Sequence, residues 1–394
     1  MTDRDKTRLV HASRPAPGEG TSAVNPPLTR ASTVLYRSTS HLREMGRRRA
    51  AGERGFTYGA KGTPTTFALE DALSEIEGGS RTQLFPTGLA AIAHVFLSVL
   101  KPGDHVLLAE TIYGPARVIA DDYLTPRGVH CEYYAPGDAA AADVAARLRP
   151  TTRLVYLDNP GSIIFDLQDL PAIAEAAKPH GALVAVDNTW GAAGLYRPLA
   201  LGADISIIAL TKYIAGHSDI TMGSVTANPG IADQLWRDSH VLGQTVSPDD
   251  AYLVLRGLRT VAARMAQSHA HAMEVIAWLE RQPLVERVLF PALPSDPGHA
   301  LWKRDFAGAN SLFSITLQPP CGQAQADAMI DAFRLFGIGA SWGGFESLAL
   351  TYPQGIRGLQ GGPLIRLHVG LEDPADLIED LARGLEAARQ SLSG

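Results

Sequence analysis

Leu183-Val184-Ala185-Val186-Asp187-Asn188-Thr189-Trp190 and, a little later, Ser206-Ile207-Ile208-Ala209-Leu210-Thr211-Lys212-Tyr213 end in the same manner. Each is a short apolar run that stops on a polar side chain with chemistry to offer. Apolar runs of four or five residues bounded by turn residues read as strands buried on both faces. Asp187 closes the first run and Lys212 follows the second, 25 positions apart (212 − 187), about one strand–crossover–strand step. In open α/β sheets ligands bind at the carboxyl ends of the strands, so the two side chains could face one ligand from neighbouring strands. A carboxylate there can pair with a protonated ring nitrogen. A desolvated lysine has a lowered pKa and can form an imine with an aldehyde. Taken singly, Asp187 reads equally well as a turn or capping residue, and Lys212 as a surface lysine snorkelling past a strand end. Order and spacing together favour the chemical reading.

Outward from this pair the pattern is α/β. Strands are expected at Gln83–Phe85, His105–Ala109, His130–Tyr134, Leu154–Leu157, Leu183–Val186, Ser206–Leu210 and Ser224–Ala227, and helices at Thr66–Glu77, Gly88–Leu100, Gly114–Leu124, Ala139–Leu148 and Leu170–Lys178. Strands separated by crossover helices imply a mostly parallel sheet sandwiched by helices. Phe85-Pro86-Thr87-Gly88-Leu89-Ala90 reads as a strand turning through glycine into a helix, whose free N–H groups favour a phosphate. Such turns are commonplace and most bind nothing.

Ser247-Pro248-Asp249-Asp250 is a strong helix start, with a serine cap, proline at the first position and acids at the positive end of the dipole. Its helix is expected to run to about Glu280 with a break near Gly257. Strands at Ser311–Leu317 and Leu364–Val369 and helices at Gln323–Phe333 and Pro374–Arg389 make the remainder a smaller α+β unit. Residues 1–55 are rich in Arg, Ser, Pro and Gly and read as an extended arm. The expected division is an arm over 1–60, a large domain over 61–257 and a small domain over 258–394.

Composition excludes several classes. With 35 basic and 41 acidic residues the formal charge is −6, which gives no drive towards nucleic acid or an anionic membrane. No run of five like charges occurs, and the densest basic stretch is Arg47–Arg49. The segment after Met1 is polar, so a secretory leader is not expected, and the cytoplasm is the expected location. The longest apolar run, Gly88–Leu100, is too short and interrupted to span a bilayer. Cys131 and Cys321 are the only cysteines and neither has zinc-ligand spacing, so neither a metal site nor a disulfide scaffold is expected.

Several stretches carry a wider likeness: Phe56–Thr65, Pro160–Ile163, Asp187–Trp190, Thr211–Asp219, Arg256–Thr260, Ser341–Leu348 and Leu364–Asp373. Across nearly the whole chain, from about Ala23 to Arg383, the sequence resembles the Cys/Met-metabolism enzymes that use pyridoxal 5'-phosphate (PLP), of the fold-type-I aminotransferase architecture. At Ser341-Trp342-Gly343-Gly344 it is similar to their bacterial β-lyase branch. The resemblance implies α,β-elimination of an amino-acid thioether, L-cystathionine, to homocysteine, pyruvate and ammonia. It also implies that Lys212 carries the cofactor as a Schiff base and later moves the Cα proton, and that Asp187 pairs with the pyridine nitrogen. Tyr113 would stack on the ring and assist proton transfer. The Gly88 and Leu89 amides, with Thr211, would hold the phosphate. Arg366 would grip the substrate carboxylate as a fork, supported by Ser341, while Trp342 lines the pocket. Tyr58 would reach the phosphate of a neighbouring subunit in a homotetramer. One departure stands out: the family usually has arginine two residues after that tyrosine, where this chain has Ala60 and then Lys61. Either Lys61 or an arginine of the arm takes its place, or phosphate is held more weakly.

Rival readings remain. Gly339-Ala340-Ser341-Trp342-Gly343 matches the serine-hydrolase pattern G-x-S-x-G, with Glu346 and His368 following in order. That elbow needs a strand-to-helix turn, and Gly343-Gly344 breaks any helix. A non-catalytic PLP-binding protein, a γ-lyase, a sulfhydrylase or another C–S lyase would keep the same motifs. His217 reads as a loop-shaping hydrogen-bonder, and Trp190, Trp236, Trp278 and Trp302 as core or interface rather than ligand contacts.

Overall fold

The computed structural model describes residues 3–16, 20–352 and 362–393. Its larger sheet contains β1 (Arg81–Phe85), β2 (His105–Ala109), β3 (His130–Tyr134), β4 (Thr152–Asp158), β5 (Leu183–Asp187), β6 (Ile205–Ala209) and β7 (Gly223–Ala227). Their spatial order is β1-β7-β6-β5-β4-β2-β3. Only β7 is antiparallel to its neighbours, β1 and β6. The carboxyl ends of β1, β2, β4, β5 and β6 therefore share one edge. The apolar runs form these strands because both faces are covered. Phe96, Tyr156 and Leu170 belong to one hydrophobic cluster, and Leu69, Ile208 and Leu255 to another. Among the described residues no helix is long and apolar enough to cross a membrane.

A second sheet follows, built from β8 (Val285–Leu289), β9 (Leu312–Leu317), β10 (Gly337–Ile338), β11 (Leu348–Tyr352) and β12 (Leu364–His368), in the order β10-β11-β12-β9-β8. It packs on the helices Gln323–Asp331 and Pro374–Gln390 through Phe313, Ile365, Met329 and Leu381. This is the expected large α/β sheet with a smaller α+β unit after it.

Two sequence expectations fail. The segment 1–55 is not wholly extended. Helices form at Asp3–His11 and Thr39–Ala50, the second capped by Ser38. Leu9 and Ala12 are buried in the same cluster as Leu69 and Leu258, an anchoring that the polar composition hides. Nor does the long helix break near Gly257. It runs unbroken over Pro248–Leu279. Val254, Leu258 and Met265 enter the core of the large sheet, and Val275, Ile276 and Leu279 enter that of the second.

Gly257 is there for contact, not flexibility. A Cβ at that position would sit 2.4 Å from the Ala215 carbonyl oxygen and 2.5 Å from that of Ile214. Both belong to the turn that follows Lys212. Gly257→Ala should therefore lower stability, although alanine is the better helix former by about 1 kcal/mol. The overpacking cost of about 1–3 kcal/mol is expected to win, and a thermal melt reads the sign.

Candidate active site

At the carboxyl edge of the large sheet, facing β11 and β12, lies a cavity of about 450 Å³. Five loops supply its floor. After β1 the chain turns at Thr87 into the helix Gly88–Val99, where the Thr87 side chain accepts the Ala90 N–H. Among the described residues nothing takes the amides of Gly88 and Leu89. Gly88 is required: its Cβ would stand 2.7 Å from that of Ala209. The result is a donor cradle pressed against the end of β6.

Lys212 lies in the turn after β6, and its Nζ donates to Ser341 Oγ at 2.7 Å. Burial and the nearby charge of Arg366 pull the amine down to about 8, with Asp187 opposing. Asp187 ends β5. Its Oδ1 accepts the Thr189 N–H at 2.9 Å, and Thr189 Oγ1 accepts the N–H of Ala209, which ties the ends of β5 and β6 together. Burial raises the Asp187 carboxyl, opposed by its bonds to Thr189 and by the lysine charge. In register beside it, Asp158 ends β4 and accepts the Tyr113 N–H at 2.8 Å. Burial and the adjacent Asp187 push Asp158 well above the carboxylate range.

The opposite wall comes from the second sheet. Arg366 projects from the middle of β12, only 8% exposed. It donates to the carbonyls of Ala340 at 3.0 Å and Ser341 at 3.3 Å, and lies 5.6 Å from the Tyr352 ring centroid. The loop bearing Ser341 and Trp342 is seated on the lysine turn by Gly343, at φ +84. A Cβ there would meet Tyr213 N at 2.7 Å and the Lys212 carbonyl carbon at 2.9 Å.

The structure thus brings together Gly88, Leu89, Tyr113, Asp187, Thr211, Lys212, Trp342 and Arg366 around one space, with Ser341 bonded to the lysine. Thr211 lines the cavity while its hydroxyl donates to Met222 O and accepts Met222 N–H. Tyr58 does not join them. It is 48% exposed and outside the cavity lining. Lys61 donates to the His240 carbonyl at 3.0 Å. His217 shapes its loop by bonding the Ala215 carbonyl. Trp190 is buried in the core as expected, and one side of it also lines the cavity. Sequence reasoning missed Asp158, Thr189, Ile163 and Tyr352. Asp158 carries the same signal as Asp187, an acid closing an apolar strand. Tyr352 sits on a short half-buried strand that leaves none.

The serine-hydrolase elbow is absent. Ser341 lies in a loop between β10 and β11 where no helix begins, and His368 bonds the Gly343 amide rather than the serine.

A family model described as Cys/Met metabolism PLP-dependent enzyme matches residues 6–386. The chain belongs to this family. Similar relatives include the cystathionine β-lyase of Bordetella avium, 47% identical over 94% of this chain and 94% of that protein, and the cystathionine β-lyase of Escherichia coli K12, 40% identical over 96% and 97%. Among solved structures, the cystathionine γ-synthase of Xanthomonas oryzae pv. oryzae, in complex with aminoacrylate and cysteine, superposes with a TM-score of 0.88 at 32% identity, covering 99% of this chain and 100% of that one.

PLP is the family's cofactor, and the donor set fits it. A softened amine is available for an aldehyde, a buried carboxylate for a ring nitrogen, and an amide cradle closed by Gly88 for a phosphate. The lysine value sets a pH dependence. Only the neutral amine adds to an aldehyde, so uptake of PLP by cofactor-free protein should quicken as pH rises, with a midpoint near 8. Stopped-flow absorbance across neutral and alkaline pH checks this. An ordinary lysine at 10.5 would place the rise well above that midpoint.

Proposed function

We propose that this chain catalyses α,β-elimination of L-cystathionine, consuming water and releasing homocysteine, pyruvate and ammonia. The observation that carries the reading is one lysine, softened to about 8, held between Asp187 and Arg366 in a single cavity. The β-lyase relatives at 40–47% identity support the choice of substrate.

PLP, when bound, joins an amine through its aldehyde and draws the electron pair released at Cα into its ring. The protein's part follows from the side chains. Arg366 takes the substrate α-carboxylate, its guanidinium already aimed by the carbonyls of Ala340 and Ser341. Lys212 would hold the cofactor's aldehyde carbon through Nζ, and as a free neutral amine would serve as the base for the substrate Cα proton. Ser341 Oγ holds its Nζ on the wall side of the cavity. Once the Cα proton has moved to Lys212, the Cβ–S bond breaks and sulfur leaves as thiolate. Asp187 supplies the negative charge that keeps a ring nitrogen protonated. Tyr113, anchored through its amide to Asp158, would cover the ring and pass a proton to the departing sulfur. The Gly88 and Leu89 amides and Thr211 would receive the phosphate. Trp342 borders the thioether arm.

We further propose a homotetramer in the cytoplasm. Tyr58 and the arm residues Val24, Leu28, Leu35 and Leu42 are exposed, and a second copy would cover them and bring Tyr58 to a neighbour's phosphate. Sedimentation tests the assembly. For the reaction, purified protein given L-cystathionine should yield pyruvate and homocysteine in equal amounts. Production of 2-oxobutyrate and cysteine would make it a γ-lyase, and no product at all would make it a binder.

A further inference from the structure

His368 takes no part in the chemistry above, yet it is 1% exposed and fully engaged. It stands on β12 two residues beyond Arg366, so both side chains leave the same face of the strand. Arg366 holds the carbonyls of Ala340 and Ser341, and His368 Nε2 accepts the Gly343 N–H at 3.1 Å. One strand thus grips the 340–343 loop at both ends.

The tautomer follows from the donor. A backbone amide can only donate, so the Gly343 N–H bond to Nε2 requires the tautomer with its ring proton on Nδ1, directed at Ser311 Oγ 3.3 Å away. Ser311 is bonded on to Tyr213: its N–H donates to the tyrosine oxygen at 3.2 Å, and its hydroxyl lies 3.2 Å from the same oxygen. Tyr213 is the residue after Lys212, and its ring stands 5.5 Å from Trp342 and 5.8 Å from the imidazole. A continuous path of bonds therefore joins the lysine turn, Ser311 just ahead of β9, β12 and the loop that carries Ser341 and Trp342.

We infer that His368 is a positioning residue: as a neutral, Nδ1-protonated imidazole it registers the Ser341–Gly343 loop on the lysine turn. The alternative protonation holds the loop differently. A proton on Nε2 would go to the Gly344 carbonyl at 3.2 Å and deprive the Gly343 amide of its acceptor. Burial and the charges of Arg366 and Lys212 keep the imidazole down to about 4, opposed only by that carbonyl, and Tyr213 is the other titratable group against it. The clamp is therefore unchanged while Lys212 titrates.

The kinetic side of this inference rests on the reaction proposed above; the positioning side does not. The test uses PLP-loaded enzyme with His368→Leu, which keeps bulk and removes the acceptor, and His368→Gln, whose amide oxygen can replace Nε2. Hydrogen exchange of the 339–345 segment should quicken about tenfold in the leucine variant, the effect of losing one buried hydrogen bond, and return to near wild type in the glutamine variant. Efficiency (kcat/KM) on L-cystathionine should follow, mainly through KM, with the visible absorbance of lysine-bound cofactor retained. Wild-type exchange in the leucine variant overturns the inference. Equal impairment in both variants overturns it too, because shape rather than the acceptor would then matter. If the leucine variant does not fold, Ser311→Ala removes the Nδ1 partner and should also quicken exchange, and unchanged exchange there refutes the clamp. A wild type that shows the exchange effect but does not cleave cystathionine defeats the proposed reaction alone. Normal turnover without the exchange effect defeats the histidine alone.

Discussion

Replacing Lys212 by alanine is expected to remove turnover and the visible absorbance of lysine-bound cofactor together, while the protein stays folded. The rate should fall by a factor on the order of 10⁴, the upper end of what a positioned proton-transfer group supplies. Alanine takes away both the amine that fixes the cofactor and the base that reaches Cα. Of the other groups described in the cavity, Tyr113 and Tyr352 are raised above the ordinary phenol value by burial, Arg366 is a cation, and the carboxylates of Asp158 and Asp187 are engaged by the Tyr113 and Thr189 amides. The fold should survive because, among the described residues, the Lys212 side chain makes one hydrogen bond, to Ser341, and otherwise lies 5.2 Å over the Trp342 ring. Steady-state kinetics, an absorbance spectrum and a thermal melt of one preparation check all three parts. Residual activity above about a hundredth of wild type would mean that another group can take the proton.

Arg366→Leu is expected to give the second-largest loss, of a different kind. The guanidinium is buried and cationic, and it would pair with a substrate carboxylate brought out of water. Removing one member of such a pair costs about 2–5 kcal/mol, so kcat/KM should fall on the order of 10³. Most of the loss should lie in KM. The lysine-bound cofactor's absorbance should remain, which separates this variant from the first. The carbonyls of Ala340 and Ser341 would also lose their donor, lowering stability by about 1–3 kcal/mol. A kinetic titration with cystathionine, read beside a melting curve, distinguishes the two contributions.

The α/β unit was legible because its strands are buried on both faces and bounded by turn residues. His105–Ala109 and His130–Tyr134 form at the expected residues. Asp187 and Lys212 were legible because strand ends at one sheet edge must converge. The unread parts have physical reasons. Gly257 signals a break by propensity, whereas close approach to the turn after Lys212 is what requires it, and no local pattern reports a contact 42 residues away (257 − 215). The helix Asp3–His11 owes its place to Leu9, the buried one of two adjacent apolar residues in a charged segment, Val10 being exposed. β10 and β11 are short and half-exposed, so Leu350 and Tyr352 gave no periodic signal although they line the cavity. Asp158 was readable by the rule that found Asp187. The strand expected from the apolar run stops at Leu157, one residue short of it, whereas β4 extends through Asp158.

Gly257 and Gly343 press on the main chain beside Lys212 and leave its side chain alone. Codon 212 can therefore mutate without evicting the scaffold. An allele altered there should encode a full-length, protease-resistant but inert polypeptide, whereas an allele altered at either glycine should be recognised by its poor accumulation in the cell.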